Sequence, residues 1–79
     1  MRARVLILPR TDILDPQGRA VSQALGQLGF ASVQEVRVGR VVDVELATTD
    51  AAEAERQVAQ MADALLANPI VEDWTVQWL

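Results

Sequence analysis

The sequence predicts an α+β domain whose elements follow the order β-α-β-β-α-β, with an antiparallel sheet and two helices on one of its faces. Three observations support this prediction. Apolar and polar residues alternate in the middle and at the end of the chain, which is the period of a strand. Two intervening stretches carry apolar residues at helical spacing. Residues that cap or stop helices flank both stretches. Elements in this order close most simply as a ferredoxin-like, two-layer sandwich.

The first strand and the first helix have clear boundaries. Residues 2–8 are apolar on both strand faces near their end, which is typical of a central strand, and Pro9 ends the strand. Asp15 is placed to cap a helix that begins at Pro16, where the missing N–H of proline does no harm. Gly29 is expected to stop this helix. Its apolar stripe consists of Val21, Leu25 and Leu28, with Ala20 and Ala24 beside it.

The stretch from Ser32 to Ala47 predicts a β-hairpin. Five of its apolar residues occupy even positions, namely Val36, Val38, Val42, Val44 and Leu46, and most of its charged residues occupy odd ones. Gly39 is the only residue in the stretch suited to a positive φ, so the turn is expected at this residue and the next. A loop of odd effective length keeps the apolar side chains on one face and brings Arg37 opposite Asp43. A longer loop that pairs Arg37 with Glu45 remains open.

A second helix and a last strand complete the chain. The helix is predicted from its cap, Asp50, to about Leu66, and Glu53 has the spacing of a capping-box variant. Residues 68–69, Asn-Pro, break the helix, and the tail from residue 70 alternates as a strand. The apolar stripe of the helix consists of Ala54, Val58, Met61 and Leu65. The apolar face of the last strand consists of Trp74, Val76 and Trp78.

A second copy of the chain is the expected partner of the uncovered sheet face. The helices cover one face, so the other must be exposed to water or contact another chain. Apolar residues on both faces of the first strand and tryptophans in the last strand favour a contact. A single small core also gains only about 3–5 kcal/mol without a disulfide, metal or partner. The candidate self-interface residues are Leu6, Leu8, Trp74, Val76 and Trp78.

Composition excludes several kinds of chemistry. The 79 residues, expected to form one domain over 1–79, include no cysteine and no histidine, so disulfides, thiol nucleophiles, imidazole bases and the usual zinc ligands are excluded. Asp12 and Asp15 lack a third ligand and are interpreted as a turn residue and a cap, so no metal site is expected.

The net charge of −4 argues against nucleic acid and anionic membranes as partners. Without a membrane span or secretory signal, a cytoplasmic protein is expected.

Other classes of protein with this topology each require particular residue types, whose presence can be checked in the sequence. An RNA-recognition domain needs aromatic residues on its central strands, and a metal chaperone needs a thiol pair; the sequence supplies neither. A small-molecule-binding regulatory domain is not excluded, because such domains use backbone contacts at subunit interfaces. It therefore stays the alternative function.

Three blocks of residues carry a family resemblance over essentially the whole chain. They are Leu14-Asp15-Pro16-Gln17-Gly18 with Ala20-Val21 and Ala24-Leu25; Val33 with Val36-Arg37-Val38-Gly39-Arg40; and Leu65-Leu66-Ala67-Asn68-Pro69 with Ile70, Glu72 and Asp73. In order and spacing they resemble the PurS family, the small subunits of phosphoribosylformylglycinamidine (FGAM) synthase. Arg40 stands where many relatives have lysine, and Trp74 where tyrosine is common.

The resemblance implies a non-catalytic subunit of a three-component enzyme of de novo purine biosynthesis. It implies a glutaminase subunit that releases ammonia from glutamine, and a large synthetase subunit that uses ATP and Mg²⁺ to convert formylglycinamide ribonucleotide to the formylglycinamidine. The PurS-like subunit, a homodimer or tetramer, is needed to assemble this ATP-dependent C–N ligase. It binds no cofactor itself, and whether it helps ammonia pass between the other subunits stays open.

The loops that carry the three blocks are expected to face the synthetase and the glutaminase, because packing constrains residue type least in loops. Arg40, in the expected turn, has no obvious internal partner, whereas Arg37 is expected to form a cross-strand ion pair. The candidate partner-binding residues are Asp15, Gln17, Gly18, Arg37, Gly39, Arg40, Asn68, Glu72 and Asp73.

Overall fold

The computed structural model describes residues 1–79 as three strands and two helices. The strands form an antiparallel sheet in the order β2-β1-β3. The predicted α+β class, with its antiparallel sheet and central first strand, is confirmed. The elements are β1 (Arg2–Pro9), α1 (Pro16–Gln27), β2 (Arg40–Glu45), α2 (Ala51–Met61), a π-helical turn that continues α2 (Ala62–Leu66), and β3 (Glu72–Trp78).

The core lies between α2 and one face of the sheet. Alternate residues of β1 point to this face and are fully buried, as expected of a central strand. They are Ala3, Val5 and Ile7. The buried residues contributed by α2 and its continuation are Ala54, Val58 and Ala62. The half-buried side chains that pack around this core are Val42, Leu46, Leu66, Trp74 and Val76.

The predicted start and stop of α1 are confirmed. An oxygen of the Asp15 side chain accepts a hydrogen bond from the backbone N–H of Gln17 at 3.2 Å, and Pro16 occupies the first helical position. Gly29 has a φ of 100°, a conformation that favours glycine and ends the helix.

The predicted cap of α2 is also confirmed, but the capping box is not closed. The Asp50 carboxylate accepts a hydrogen bond from the N–H of Ala52 at 3.0 Å. The N–H of Asp50 donates to the Thr48 hydroxyl at 3.1 Å, the place that Glu53 would take in a capping box. Glu53 instead accepts a hydrogen bond from the side chain of Gln57 at 2.9 Å.

The apolar stripe predicted for the second helix is wrong at its last member. Val58 is buried as expected, but Leu65 is 83% exposed. The cause is the π-helical turn over Ala62–Leu66, which holds more residues per turn than an α-helix and rotates the inward face. Ala62 and Leu66 therefore take the inward positions.

The hairpin predicted over residues 32–47 is wrong in its first half. Residues 33–39 form no strand and pair with no strand of this chain. Gly39 does not have a positive φ and no turn forms there; β2 begins at the next residue. A Cβ atom on Gly39 would lie 2.1 Å from the carbonyl oxygen of Ile7. The close approach of β1, and not a turn, therefore requires glycine at this position.

The charged residues of β2 pair with β1 instead of with residue 37. The Nε of Arg4 donates to a carboxylate oxygen of Asp43 at 2.9 Å. An Nη of Arg2 donates to a carboxylate oxygen of Glu45 at 2.9 Å. The two hairpin registers assigned Asp43 or Glu45 to Arg37, but both carboxylates bind arginines of β1. The cross-strand ion pair predicted for Arg37 within this chain is therefore wrong.

Residues 16–39, which we call the arm, project from the rest of the molecule. No apolar side chain of α1 is buried, so of the two helices expected on the sheet only α2 packs against it. The Cα radius of gyration is 15.8 Å. A compact domain of this length has a radius of gyration of about 12 Å. The molecule measures 48 × 25 × 14 Å along its principal axes, so its shape is elongated.

We expect Gly39→Ala to destabilise the fold, because the added methyl group overlaps the carbonyl oxygen of Ile7. Overpacking of this kind costs about 1–3 kcal/mol. In a domain of this size, each kcal/mol lowers the melting temperature by about 4–8 °C. Thermal unfolding followed by circular dichroism measures the change.

Gly26→Ala is the matched control, because a Cβ atom at this helical position meets no atom within 4 Å. Alanine favours a helix over glycine by about 1 kcal/mol, so the control is expected to melt no earlier than the unmodified protein. Equal melting temperatures for the two variants would contradict the role of the close approach at Gly39.

Candidate functional site

Most of the candidate partner-binding residues meet at one end of the sheet, where β1 ends and β2 and β3 begin. Arg40 lies opposite Ile7, and Glu72 lies opposite Pro9. The three sequence blocks, which are far apart along the chain, are thereby brought together. We call this cluster the junction. It consists of Asp15, Gly18, Arg37, Gly39, Arg40, Asn68 and Glu72.

Glu72 holds the Arg40 guanidinium at two points. One Nη atom of Arg40 donates to a Glu72 carboxylate oxygen at 2.7 Å, and the other donates to the second oxygen at 3.0 Å. The second Nη atom also donates to the carbonyl oxygen of Leu66. The Glu72 side chain is 15% exposed and the Arg40 side chain is 49% exposed. The prediction that Arg40 has no internal partner is therefore wrong, because alternation within a strand does not reveal which residues of other elements lie alongside it.

Glu72 also holds the turn between α2 and β3. Its carboxylate accepts a hydrogen bond from the backbone N–H of Asn68 at 2.7 Å, and its own N–H donates to the carbonyl oxygen of Asn68 at 2.8 Å. The guanidinium of Arg40, followed by the Asn68 N–H, lowers the pKa of the Glu72 carboxyl. One carboxylate thus ties β2, β3 and the end of α2 to one another.

Asp15 is the second anchor of the junction. One of its oxygens caps α1, and the other accepts a hydrogen bond from the backbone N–H of Val38 at 2.8 Å. The Val38 N–H is the main cause that lowers the pKa of the Asp15 carboxyl. A Cβ atom on Gly18 would lie 2.1 Å from the carbonyl oxygen of Val36. The start of α1 is therefore fixed against the extended segment that precedes β2.

Three other candidate residues keep polar groups available to a partner. Arg37 donates a single hydrogen bond, from Nη1 to the carbonyl oxygen of Pro9 at 3.1 Å. The side chains of Gln17 and Asp73 are exposed and form no hydrogen bond within the chain. Asp73 lies opposite Leu8, on the sheet face that α2 does not cover. Of the partner-binding candidates with polar side chains, Gln17, Arg37 and Asp73 make the fewest side-chain hydrogen bonds within the chain.

The five candidate self-interface residues lie on two different faces of the sheet. Trp74, Val76 and Trp78 pair with the buried residues of β1, so they belong to the face that α2 covers. Leu6 and Leu8 belong to the opposite face, where Leu8 is 39% exposed. The structure does not bring the five together, because an alternating sequence separates the faces of each strand without relating the faces of two strands.

The junction holds charged and amide groups but no hydroxyl or thiol. No group of three or more acidic side chains is close enough to hold a metal ion. No helix of the structure has both the length and the apolar character that a membrane span requires. The arrangement fixes the ends of strands and helices in place and presents the exposed part of its guanidinium groups at the surface.

We expect acid to loosen the junction, because folding lowers the pKa of Glu72. A carboxyl group of this kind stabilises the fold above its unfolded pKa of about 4, and this contribution is lost as the pH falls through the lower folded value. At pH 7, Glu72→Gln should cost about 1–2 kcal/mol of the free energy of unfolding. Melting curves from pH 7 to pH 3 should show the difference between the two proteins shrinking below about pH 4.

Glu55→Gln is the control for this measurement, since Glu55 is exposed on α2 and makes no hydrogen bond or ion pair. Its stability should follow that of the unmodified protein at every pH. If Glu72→Gln also followed the unmodified protein at every pH, the carboxylate would have no part in holding the junction.

Comparisons with known sequences identify relatives over nearly the whole chain. The family model described as "PurS: Phosphoribosylformylglycinamidine (FGAM) synthase" matches residues 2–79. The phosphoribosylformylglycinamidine synthase subunit PurS of Mycobacterium leprae is 41% identical over 75 residues, which cover 95% of this chain and 91% of the relative. The PurS subunit of Archaeoglobus fulgidus is 36% identical over 78 residues, which cover 99% of this chain and 98% of the relative.

Solved structures share the fold over nearly the whole chain. Bacillus subtilis PurS has a TM-score of 0.85 at 32% identity, with 96% of this chain and 94% of that chain covered. Thermus thermophilus PurS has a TM-score of 0.78 at 42% identity, with 99% and 95% covered. A chain in the structure of PurLQS from Thermotoga maritima shows the same fold at 24% identity, with a TM-score of 0.88 and coverage of 99% and 95%. The chain belongs to the PurS family of FGAM synthase subunits.

Proposed function

We propose that this chain is the non-catalytic subunit that assembles FGAM synthase in de novo purine biosynthesis. The observation that supports the proposal is the full-length similarity to proteins that are each named as the PurS subunit of this enzyme. A protein of the same fold is part of the PurLQS structure from Thermotoga maritima. By analogy, this chain joins a synthetase subunit and a glutaminase subunit. The proposed location is the cytoplasm.

The division of chemistry among the subunits is the one that the family resemblance implies. The glutaminase releases ammonia, and the synthetase binds ATP and Mg²⁺ and converts formylglycinamide ribonucleotide to formylglycinamidine ribonucleotide. This chain has no cysteine or histidine, and its junction carboxylates are engaged by guanidinium or backbone N–H groups. It therefore acts by holding its partners in place and not by taking part in the reaction.

The junction is the surface that we assign to the partner subunits. Its internal hydrogen bonds fix the loops before binding, which reduces the entropy lost when a partner docks. Around this fixed frame, Arg37 and Asp73 carry charges that make little or no internal contact. Such rim charges steer association and select a partner of complementary charge.

One feature favours the alternative of a small-molecule-binding regulatory module. A depression of about 550 Å³ that is open to solvent lies at the end of the sheet opposite the junction. Its lining residues are Met1, Arg2, Glu45, Leu46, Ala47 and Leu79. Saturable binding of an amino acid or purine intermediate to the free protein, measured by calorimetry, would support this alternative.

Reconstitution of the three subunits tests the proposed function. Omitting this chain should abolish FGAM formation from glutamine, while FGAM formation from added ammonium by the synthetase should continue. Sedimentation should show that the synthetase and glutaminase no longer migrate together. Undiminished turnover from glutamine in the absence of this chain would refute the assembling role.

Charge reversal at the junction rim tests the proposed surface. Arg37→Glu and Asp73→Arg should each lower turnover from glutamine about tenfold, the effect expected from losing one charged contact of about 1–2 kcal/mol. Their melting temperatures should stay close to that of the unmodified protein. Glu55→Arg, on the solvent-facing side of α2, is the control and should leave turnover unchanged. Arg40→Glu is unsuitable here, because it would also break the internal pair with Glu72.

A further inference from the structure

The arginines of this chain divide into a paired and an unpaired group. All seven basic residues are arginines, and five of them form an ion pair within the chain. The five are Arg2, Arg4, Arg10, Arg40 and Arg56. Arg19 and Arg37 form no ion pair, although the chain has eleven carboxylate side chains. An arginine without an internal counter-ion is therefore the exception in this acidic protein.

Both unpaired arginines line the same depression, at the root of the arm. One side of the depression is the loop between β1 and α1, and the other side is formed by residues 35–37. The Arg37 guanidinium is held by a single hydrogen bond, from Nη1 to the carbonyl oxygen of Pro9 at 3.1 Å. Since a guanidinium has five N–H donors, most of those of Arg37 remain free, as do all of those of Arg19.

Two carboxylates also line the depression, and one of them is already engaged. The Asp15 oxygens accept hydrogen bonds from the backbone N–H groups of Gln17 and Val38, at 3.2 and 2.8 Å. The Glu35 side chain is exposed and forms no hydrogen bond or ion pair. Two positive charges and one negative charge are thus left without partners. This local excess of positive charge favours an anion, in contrast to the net charge of −4 of the whole chain.

Apolar side chains border the two arginines. Leu14 is 77% exposed and Ile13 is 38% exposed, and both line the depression together with the half-buried Val36. Arginine beside apolar residues is the composition found at the centres of protein interfaces. Apolar walls also exclude water when a partner docks, which strengthens an ion pair formed between them.

The size of the depression indicates what kind of anion it suits. Its volume is about 160 Å³, below the range of about 300–1,000 Å³ typical of sites for small-molecule ligands and cofactors. A single side chain needs less room than a nucleotide. Guanidinium groups pair with planar carboxylates through two parallel hydrogen bonds. An acidic side chain of another protein therefore matches both the volume and the free donors.

We propose that this depression receives an acidic side chain of a partner subunit, whose carboxylate bridges Arg19 and Arg37. An apolar residue next to that side chain packs against Ile13 and Leu14. The inference rests on the proposed assembling function and deepens it, because it names one contact and its chemistry. It also adds Arg19, which lies outside the three sequence blocks, to the surface that binds partners.

A titration of this chain into the synthetase and glutaminase, with glutamine and ATP present, tests the contact. The readout is the concentration of this chain that gives half-maximal FGAM formation. Arg19→Gln and Arg37→Gln should each raise that concentration about tenfold, the effect of losing one charged hydrogen-bonded contact. The double variant should lose less than the product of the two effects, because each single variant already breaks the same bridge. Maximal turnover at saturation should not change.

Two matched variants control this titration. Arg56→Gln makes the same substitution on exposed α2, away from the depression, and should leave the half-maximal concentration unchanged. Glu35→Gln removes the free negative charge and should lower the half-maximal concentration about two- to fivefold, the range of an exposed charge pair. A loosened arm would instead raise it in every variant of the depression.

The outcomes separate this contact from the assembling function. If turnover depended on this chain but R19Q and R37Q matched R56Q, the contact would be refuted and the assembling role would stand. Turnover that needed none of this chain would refute the assembling role itself. A rise of the half-maximal concentration in E35Q would also overturn the contact, since the charge of the occupant would then be wrong.

Two measurements on the free protein test other occupants of the depression. Calorimetry with inorganic phosphate should show no saturable binding, and sedimentation should give the same oligomeric state for the unmodified protein and for R19Q/R37Q. Phosphate binding that is lost in R19Q/R37Q would assign the depression to a small anion. A changed oligomeric state would assign it to a contact between copies of this chain. Either result would overturn the proposed contact with a partner subunit.

Discussion

The course of the chain into β2 determines most of this structure. Gly39 passes so close to the carbonyl oxygen of Ile7 that no side chain fits, and the Asp15 carboxylate holds the N–H of Val38. Together these contacts hold the segment before β2 in a course without a turn. The helix and segment that a hairpin would return to the sheet instead extend away from it. The elongated shape, the exposed stripe of α1 and the unpaired edge of β2 all follow from this local geometry.

The residues that carry the family resemblance are mostly engaged inside the chain. Arg40, Asn68 and Glu72 hold the ends of three elements together, while Asp15 and Gly18 fix the root of the arm. A loop residue of restricted type is often read as a sign of binding, because packing constrains loops weakly. Here the internal hydrogen bonds supply that constraint. The surface offered to the synthetase and glutaminase is therefore best sought among the charged side chains that surround the junction.

Local features of the sequence were sufficient to predict much of the fold. Pro16 with its capping Asp15, and Gly29 with its positive φ, act within a few residues, so the limits of α1 could be read directly. For the same reason, an apolar run ended by Pro9 located β1, and alternation located β2 and β3. Local features do not reveal which strand a given strand pairs with. Val36 and Val38 suit pairing with the same chain or with another copy equally well, because the period of two is identical in both cases.

Two further features of the structure could not be predicted from the sequence. The π-helical turn that exposes Leu65 leaves no mark in the apolar spacing, and the pair formed by Arg40 and Glu72 joins residues whose closeness depends on the sheet order. The sequence could therefore indicate which residues of the candidate site are unusual. It could not indicate that a carboxylate of the last strand is the centre to which several of them are bound.

The small core has a consequence for how the protein behaves in dilute solution. Only eight of its 79 residues are buried within one chain, so little of the free energy that opposes unfolding is available to a solitary molecule. When association stabilises a chain of this kind, the folded fraction rises with the amount of protein present. At low concentration a larger fraction of the chains is unassociated and unfolded. These chains are the ones most exposed to proteolysis, so the protein is degraded faster when little of it is present.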